Sequence, residues 1–273
     1  MRCGLMLFIL SIGFSAFCSS DFTLFDASGG IWESSGLFRR LMEEKVSLLP
    51  DNQPVVLEKI SKLPKQLSAQ QAAVVSGNDA DWKKSELNYQ AVGRAAVVAA
   101  VSKDCPLENI SIEDLQRIYS GRIASWARFG GRDLPVRRGG YAADTPQGRV
   151  FARLVMKAAD DGKSADLNSQ IAPGMIVCSS TQAGMALLRG VPGMIVFADA
   201  ELMRVLHKNC KVLKIAGVFP SADNIASGRY PLTVPLGVVS SKDAPAQNVQ
   251  VIVDFLKSDL SEKGAVGAQN TKK

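Results

Sequence analysis

Hydrophobic positions recur along the chain with two periods, and the two periods alternate. Short apolar runs predict strands, for example at residues 22–27, 94–102 and 193–199. Between such runs, apolar residues three and four positions apart predict amphipathic helices, and the clearest helix begins after Ser111 and ends at Gly121. This alternation over the whole length predicts an α/β fold in which helices flank mixed sheets.

The remaining runs extend the same pattern. Residues 53–63 predict a strand running into a helix, and residues 230–241 predict a long strand whose prolines suit an edge or a crossover. Further strands are predicted at 72–76, 133–140, 175–180 and 210–218, and further helices at 31–42, 180–190 and 245–263. These elements are sufficient for one large domain or for two lobes.

The stretch GGYAADTPQGRVF, from Gly139 to Phe151, predicts a helix start. Asp144 and Thr145 offer side-chain oxygens immediately before Pro146, the order expected for a cap followed by proline at the first helical position. A helix N-terminus also carries unpaired N–H groups and a partial positive charge, which suit an anion. Two interpretations therefore stay open, a plain helix start and a ligand contact.

Four strand-to-helix junctions are rich in small polar residues: Ser28–Gly30, Ser76–Asn78, Asp144–Gln147 and Ser179–Thr181. In open α/β sheets, ligands bind outside the carboxyl ends of the strands. Four such junctions favour a shared cleft, although each of them is also explained by the need to cap a helix.

Residues 1–20 have the layout of a secretory signal peptide. One arginine near the start precedes an apolar run from Gly4 to Phe17, and the run is too short to favour a membrane span. The alternative is an uncleaved N-terminal anchor. Lipid attachment at Cys18 is disfavoured, because Ser15 and Phe17 do not match the residues usual at those positions of a lipoprotein signal. We therefore expect an exported, periplasmic protein without a stable membrane span after cleavage.

Composition narrows the function classes. The chain has 273 residues and a net charge of +6, but its basic residues are dispersed, which argues against a nucleic-acid partner. A single histidine, His207, and the absence of a C-x-x-C pair exclude common metal sites, so we expect no metal and no cofactor. Cys105, Cys178 and Cys210 follow the signal, and this odd number allows at most one disulfide. No nucleophile, metalloprotease or nucleotide motif is present, and we expect no enzyme activity.

The segment PLENISIEDLQRIYSGRIASWARFGGRDLPV, residues 106–136, resembles the periplasmic phosphate-binding proteins of ABC uptake systems. The likeness combines a Leu-x-x-Ile-Tyr-Ser-Gly-x-Ile helix end, Trp126, and a Gly-Gly-x-Asp-Leu-Pro approach to a strand. Weaker matches follow in the expected order at residues 180–198 and 230–258. The first 91 residues match only loosely, through DASGG and VVSGND.

This resemblance implies a two-lobed periplasmic-binding-protein fold of type II with the ligand in the cleft between the lobes. Lobe 1 would comprise residues 21–91 and 232–273, and lobe 2 residues 92–231. The implied function is capture of inorganic phosphate or a similar oxyanion for an ABC permease, with hinge closure around the ligand. The alternative is an exported sensor or interaction module of the same fold that has lost phosphate binding.

The resemblance also implies site residues. Relatives place an arginine a few residues before Ser-Gly-Thr, with a phenylalanine beyond; anchored on Phe151, these positions hold Tyr141, Thr145, Pro146 and Gln147. Arg137 or Arg138 could replace the missing arginine. From lobe 1, the candidates are the side chains of Ser28 and Ser76 and the backbone groups of Gly29, Gly30 and Gly77. For Thr145 and Ser28, capping and ligand contact both stay open, whereas we expect Asp144 to cap and Tyr119 and Trp126 to lie in the core.

Overall fold

The structure is a computed structural model that describes residues 21–27, 49–50, 53–60, 63–76, 86–143, 145–157 and 171–264. The predicted signal peptide, the helix predicted at 31–42 and five residues singled out above lie outside these ranges: Ser28, Gly29, Gly30, Gly77 and Asp144.

Eleven strands occur in the described ranges: β1 (Phe22–Ala27), β2 (Val55–Lys59), β3 (Gln71–Ser76), β4 (Asn88–Ser102), β5 (Asn109–Ile110), β6 (Arg137–Gly140), β7 (Ile176–Val177), β8 (Met194–Asp199), β9 (Cys210–Val212), β10 (Lys214–Ile215) and β11 (Thr233–Ser240). The α-helices there are α1 (Ile112–Tyr119), α2 (Pro146–Phe151), α3 (Thr181–Gly190), α4 (Ala222–Ala226) and α5 (Ala246–Gly264). Shorter 3₁₀ turns span Trp126–Phe129 and Ala200–Val205, and a π-helical turn at Ala152–Met156 continues α2.

Nine strands form one mixed sheet in the order β2-β1-β3-β11-β4-β8-β6-β7, and β9 also pairs with β4. Strands β1, β2 and β3 are mutually parallel, as are β6, β7 and β8, while β11 runs antiparallel to β3 and β4. Strands β5 and β10 form a separate small sheet. The run predicted as one region at 210–218 therefore contributes strands to two sheets.

The long strand β4 joins the two parallel groups. It has 15 residues, about 50 Å at the usual rise of a strand, and it begins six residues before the predicted start at Arg94. Its first part pairs with β11 and its second part with β8 and β9. One continuous strand thus carries the chain from the β1–β3 group to the β6–β8 group.

Of the two placements that its prolines suit, an edge or a crossover, β11 does not take the edge. It pairs with β4 along Thr233–Ser240 and with β3 from Leu236 onward, so most of it is central in the sheet. Pro235 lies opposite Arg94, in the portion that has β4 as its neighbour but no paired residue of β3. Proline lacks a backbone donor, and such a locally one-sided position tolerates it.

Buried side chains form separate clusters on the two parts of the sheet. The largest cluster surrounds the second part of β4 and includes Tyr119, Trp126 and Phe197, each fully buried. A second cluster packs α5 against Phe22, Leu24 and Val238, and a third lies around Phe25 and Val239. The predictions that Tyr119 and Trp126 are core residues are confirmed.

The clearest predicted helix is confirmed in detail. Ser111 caps α1, its hydroxyl accepting a hydrogen bond from the Asp114 N–H at 3.0 Å. Gly121, two residues after the helix, has φ +77°, a conformation that glycine adopts without strain. The Trp126 indole N–H donates to the Gly193 carbonyl at 2.9 Å, which joins the end of this segment to the turn before β8.

Two runs are less regular than predicted. In the run 175–180 only Ile176 and Val177 form a strand, and their side chains are 41% and 58% exposed, because β7 is the outermost strand of the sheet. The run 133–140 forms a strand only from Arg137 onward, after an isolated bridge between Ser125 and Pro135.

The described residues also bear on cysteine and metal chemistry. Cys105, Cys178 and Cys210 are buried free thiols in the structure. The ranges that the structure describes contain no group of three or more His, Cys, Asp or Glu side chains arranged as metal ligands. Among the described helices, none is both long enough and apolar enough to cross a bilayer.

Candidate functional site

The carboxyl ends of the two parallel groups reach the same short segment of β4. On one side, β3 ends at Ser76, which pairs with Leu236, and Leu236 pairs in turn with Gly93 of β4. On the other side, β8 ends at Asp199, which pairs with Val97. Gly93 and Val97 are about 13 Å apart along the strand. The loops that leave both sets of strand ends therefore start at nearly the same level of the sheet.

Close packing positions the end of β6. The candidate turn, which carries Tyr141, Thr145 and Gln147, begins there. A Cβ atom at Gly140 would lie 2.1 Å from the Phe197 ring, so the strand backbone approaches that ring as only glycine permits. Phe197 in turn stacks on Phe151 with ring centroids 3.8 Å apart and an interplanar angle of 5°. The Tyr119 hydroxyl donates to the Gly139 carbonyl at 2.8 Å. Burial raises the pKa of Tyr119 well above its usual value, so this hydroxyl stays protonated.

Tyr141, the first residue after β6, points into the protein. Its side chain is 5% exposed, and its hydroxyl lies 3.2 Å from the Thr181 hydroxyl in a buried hydrogen bond. Thr181 is the first residue of α3, so this contact joins the start of that helix to the turn after β6. At the position where the relatives' motif has an arginine, this chain thus has a neutral, internally bonded side chain.

Thr145 caps α2, as its place before Pro146 predicted. Its hydroxyl accepts a hydrogen bond from the Gly148 N–H at 3.1 Å and donates its proton to the Ala142 carbonyl at 2.6 Å. A hydroxyl has a single proton to donate. In the arrangement described, that proton is used within the turn.

Gln147 lies on the same turn and bonds to the end of β8. Its amide nitrogen donates to the Asp199 carboxylate at 3.2 Å, which uses one of its two N–H groups. Asp199 is half-buried and places a negative charge at the strand ends.

Helix α3 begins beside this turn. Ser180 caps the helix, its hydroxyl accepting a hydrogen bond from the Ala183 N–H at 3.1 Å. The Cys178 N–H donates to the Gly140 carbonyl at 2.7 Å and so fixes the approach to α3 against β6. Burial raises the pKa of the Cys178 thiol, which keeps it neutral.

The structure brings three of the predicted residues together at the end of β6. It places a fourth, Ser76, at the end of β3, in the other group of parallel strands. Tyr141, Thr145 and Gln147 share one turn, and half-buried Ser76 ends β3. Thr181 and Asp199 were not expected as partners of these residues. A signal existed for both, because Thr181 follows a cap and Asp199 ends an apolar strand, but neither pattern identifies its partner.

A family model described as a PBP superfamily domain matches residues 63–259, most of the chain. The phosphate-binding protein PstS of Bacillus subtilis is 26% identical over 186 residues, which are 68% of this chain and 57% of that protein. The chain therefore spans well under two thirds of the length of this curated relative.

Solved structures show the same fold. An ABC-type phosphate transport receptor from Vibrio cholerae superposes with a TM-score of 0.62 at 19% identity, covering 90% of this chain and 97% of that one. PstS from Borrelia burgdorferi superposes with a TM-score of 0.62 at 15% identity, covering 89% and 97% of the two chains. These likenesses confirm the fold class predicted from the sequence, an α/β arrangement of two lobes built on mixed sheets.

Proposed function

Because the chain belongs to the PBP superfamily, we propose that it is an exported solute-binding protein that captures phosphate, or a related oxyanion, for an ABC-type uptake system. The observation that carries the proposal is the convergence of strand ends on the Gly93–Val97 segment of β4. The names of similar proteins favour phosphate as the ligand: a phosphate-binding protein PstS from Bacillus subtilis, a phosphate transport receptor from Vibrio cholerae and a PstS from Borrelia burgdorferi.

We place the ligand between two lobes with the boundaries expected from the sequence. Lobe 1 consists of residues 21–91 and 232–273 and lobe 2 of residues 92–231. The separate buried clusters support a division into two lobes, since Val238 belongs to the cluster around α5 whereas Ala96 and Val98 belong to the large one. The cores divide a few residues later than these boundaries on both strands, because Val92 packs in the cluster around α5 and Leu236 in the large one. Two rigid cores joined by β4 and β11 suit closure by a hinge motion.

The proposed second-lobe contacts are Tyr141, Thr145 and Gln147. Gln147 retains one amide N–H besides the one bonded to Asp199 and can donate it directly. The Thr145 hydroxyl contacts an anion by turning its proton from the Ala142 carbonyl to the ligand while still capping Gly148. Tyr141 contributes by holding the turn against Thr181.

The proposed first-lobe contacts to the ligand are the hydroxyls of Ser76 and Ser28. The backbone groups of Gly29, Gly30 and Gly77 complete the set. Many donors must converge on a dehydrated oxyanion, because burying its charge without them is costly. Release of the unchanged anion to a permease requires no catalytic group, in keeping with the absence of catalytic motifs from the sequence. Export follows from the signal-like residues 1–20.

Isothermal titration of the purified mature chain with phosphate, sulfate and molybdate tests the proposal. We expect phosphate to bind with micromolar or tighter affinity. Ser76→Ala removes a hydroxyl at the proposed site, and Ser240→Ala is its matched control, because buried Ser240 pairs with Ala72 toward the opposite end of the β3–β11 ladder. We expect only Ser76→Ala to weaken phosphate binding.

Two outcomes would contradict the proposal. If none of the three oxyanions produces heat or a thermal shift, the sensor or interaction module becomes the better explanation. Equal effects of the two serine variants on affinity would remove Ser76 from the site.

A further inference from the structure

The main sheet is narrow where the two buried cores meet. Strand β3 pairs with β11 only from Leu236 onward, and β8 pairs with β4 only from Val97 onward. Between these points, Arg94–Ala96 of β4 and Thr233–Pro235 of β11 pair only with each other in the described sheet. We call this two-stranded segment the neck. A rotation of one lobe against the other is therefore accommodated in the neck or directly beside it.

A β-bulge lies at the lobe 1 end of the neck. Leu236 of β11 pairs with Gly93 of β4. The next residue, Gly237, pairs with Ala91, which leaves Val92 without a partner in β11. An extra residue of this kind interrupts the ladder and bends its strand. The interruption coincides with the division of the cores, since Val92 packs in the cluster around α5 and Leu236 in the large one.

Both strands have a glycine at the bulge, Gly93 on β4 and Gly237 on β11. Glycine permits wider changes of φ and ψ than any residue with a Cβ atom. Hinges between lobes are formed by a few residues that absorb such changes. The neck is less suited to this, because Pro235 has a fixed φ. The backbone therefore favours bending at the bulge.

The neck is also braced by a side chain. The Arg94 Nε–H donates to the hydroxyl of buried Thr233 at 3.0 Å, across the two strands. The same guanidinium packs against Gly228, where a Cβ would lie 3.1 Å from the Arg94 Cζ. These contacts join β4, β11 and the turn after α4 into one unit. The neck thus moves together with lobe 2.

Tyr89 contacts the bulge from the lobe 1 side. A Cβ at Gly237 would lie 2.2 Å from the Tyr89 ring, so the ring lies directly over that glycine. Side chains alternate between the two faces of a strand, and Gly237 and Thr233, four residues apart on β11, share one face. The Tyr89 ring and the Arg94 guanidinium lie on that face with them.

Ser76 and Asp199 lie on the opposite face of this ladder. Their partners on β11 and β4 are an odd number of residues from Gly237 and from Arg94, respectively. Bending at the bulge toward that face shortens the distance between Ser76 and Asp199. Bending the other way presses the Tyr89 ring against Gly237, so the ring limits how far the lobes open.

We propose that the bulge at Val92–Gly93, opposite Gly237, is the hinge between the lobes and that the Tyr89 ring sets the limit of opening. Its part in ligand capture rests on the proposed function, whereas the hinge itself rests on the strand pairing and the packing of the two cores.

Distances between spin labels on the two lobes, measured by double electron–electron resonance without ligand, test the hinge. Gln247→Cys on α5 and Glu113→Cys on α1 give exposed attachment sites on lobe 1 and lobe 2. The native thiols Cys105, Cys178 and Cys210 are buried, and wild type treated with the label is their control. We expect the doubly labelled parent to show a broad distribution of distances.

Three variants of this parent separate the hinge from general loosening. Gly93→Val restricts the backbone at the bulge and should narrow the distribution. Tyr89→Ala removes the ring over Gly237 and should broaden it. The control Phe129→Ala removes another half-buried ring, which lies beside Trp126 in lobe 2, and should leave the distribution unchanged.

Each outcome decides one part of the inference. An unchanged distribution in folded Gly93→Val overturns the hinge, and the milder Gly93→Ala, which should narrow the distribution less, replaces it if valine prevents folding. An unchanged distribution in Tyr89→Ala overturns the limit on opening. Titration of the parent with phosphate, sulfate and molybdate separates hinge and function. If none of them binds, the proposed function falls and a narrowed Gly93→Val distribution still supports the hinge.

Discussion

Two helix starts in this protein use the same local chemistry in different surroundings. Ser111 accepts a hydrogen bond from the N–H of Asp114 at 3.0 Å, and Thr145 accepts one from the N–H of Gly148 at 3.1 Å. Ser111 follows β5 of the small two-stranded sheet, whereas Thr145 follows the carboxyl end of β6 in the large sheet. Only the second cap therefore lies where the strand ends of the main sheet converge.

A capping pattern and a ligand-binding pattern cannot be separated by their residues alone. Both serine and threonine caps satisfy helix N–H groups, which any helix start requires. What distinguishes Thr145 is its position relative to β8 and α3, set by contacts of Gln147 with Asp199 and of Tyr141 with Thr181. The proposed ligand contact of Thr145 therefore rests on its place in the fold and not on the cap.

The largest expected effect is on stability and compares the third residues of two helices, Gly148 of α2 and Asp114 of α1. A Cβ at Gly148 would lie 1.9 Å from the Ala142 carbonyl oxygen, so Gly148→Ala forces the backbone of the turn to move. We expect a loss of about 3 kcal/mol of unfolding free energy. The matched change in the other helix, Asp114→Ala, removes an exposed pair with Arg117 and should cost less than about 1 kcal/mol. Urea unfolding measures both.

A small effect of Gly148→Ala would mean that the turn is not held against Ala142. In that case the close approach described here would not be what fixes the Thr145 cap, and the two helix starts would differ less than their surroundings indicate.

The caps themselves should show equal stability effects and unequal binding effects. We expect Ser111→Ala and Thr145→Ala each to lower the unfolding free energy by about 1 kcal/mol. Phosphate affinity should fall roughly tenfold for Thr145→Ala alone, since its hydroxyl is a proposed donor to the ligand. Chemical denaturation and titration on the same preparations separate the two readouts. Unchanged affinity in Thr145→Ala would assign that residue to capping alone.

Much of the fold is predictable from the sequence because its signals are local. The apolar spacing around Tyr119 and the cap at Ser111 each lie within one turn of helix, and both predictions are confirmed. The strand predictions fail where partners decide the outcome. The prolines of the run 230–241 suit an edge or a crossover, but β3 and β4 flank most of β11, and the run after Cys210 divides between two sheets.

The site is less predictable for the same reason. The resemblance to phosphate-binding proteins selected Tyr141, Thr145 and Gln147, which do share a turn. Their partners Thr181 and Asp199 lie 40 and 52 residues further along the chain from Tyr141 and Gln147, so no local pattern pairs them. Contacts made across the fold depend on the register of β6, β7 and β8, and that register is a property of the whole sheet.

A smaller and matched effect is expected for two tyrosine hydroxyls. Tyr119→Phe removes the bond to the Gly139 carbonyl, and Tyr141→Phe removes the bond to Thr181. Each should cost about 1 kcal/mol of stability. Phosphate affinity should stay within about twofold in both, because we assign Tyr141 a positioning role. A large loss of affinity in Tyr141→Phe with unchanged stability would instead make its hydroxyl a direct ligand contact.

The smallest expected effect is the dependence of stability on alkaline pH, which compares one thiol near α1 with one beside the candidate turn. Burial raises the pKa of Cys105 to about 11 and raises that of Cys178 as well. Below about pH 9 the thiols are protonated in both folded and unfolded chains, and the full stability is present. As the pH rises from there toward 11, the thiols of the unfolded chain ionise first, so the unfolding free energy falls. Urea unfolding at pH 8 and pH 10 under reducing conditions should show a smaller fall for Cys105→Ala and Cys178→Ala than for wild type. If the fall in either variant equals that of wild type, the corresponding thiol is not shielded from ionisation in the folded protein.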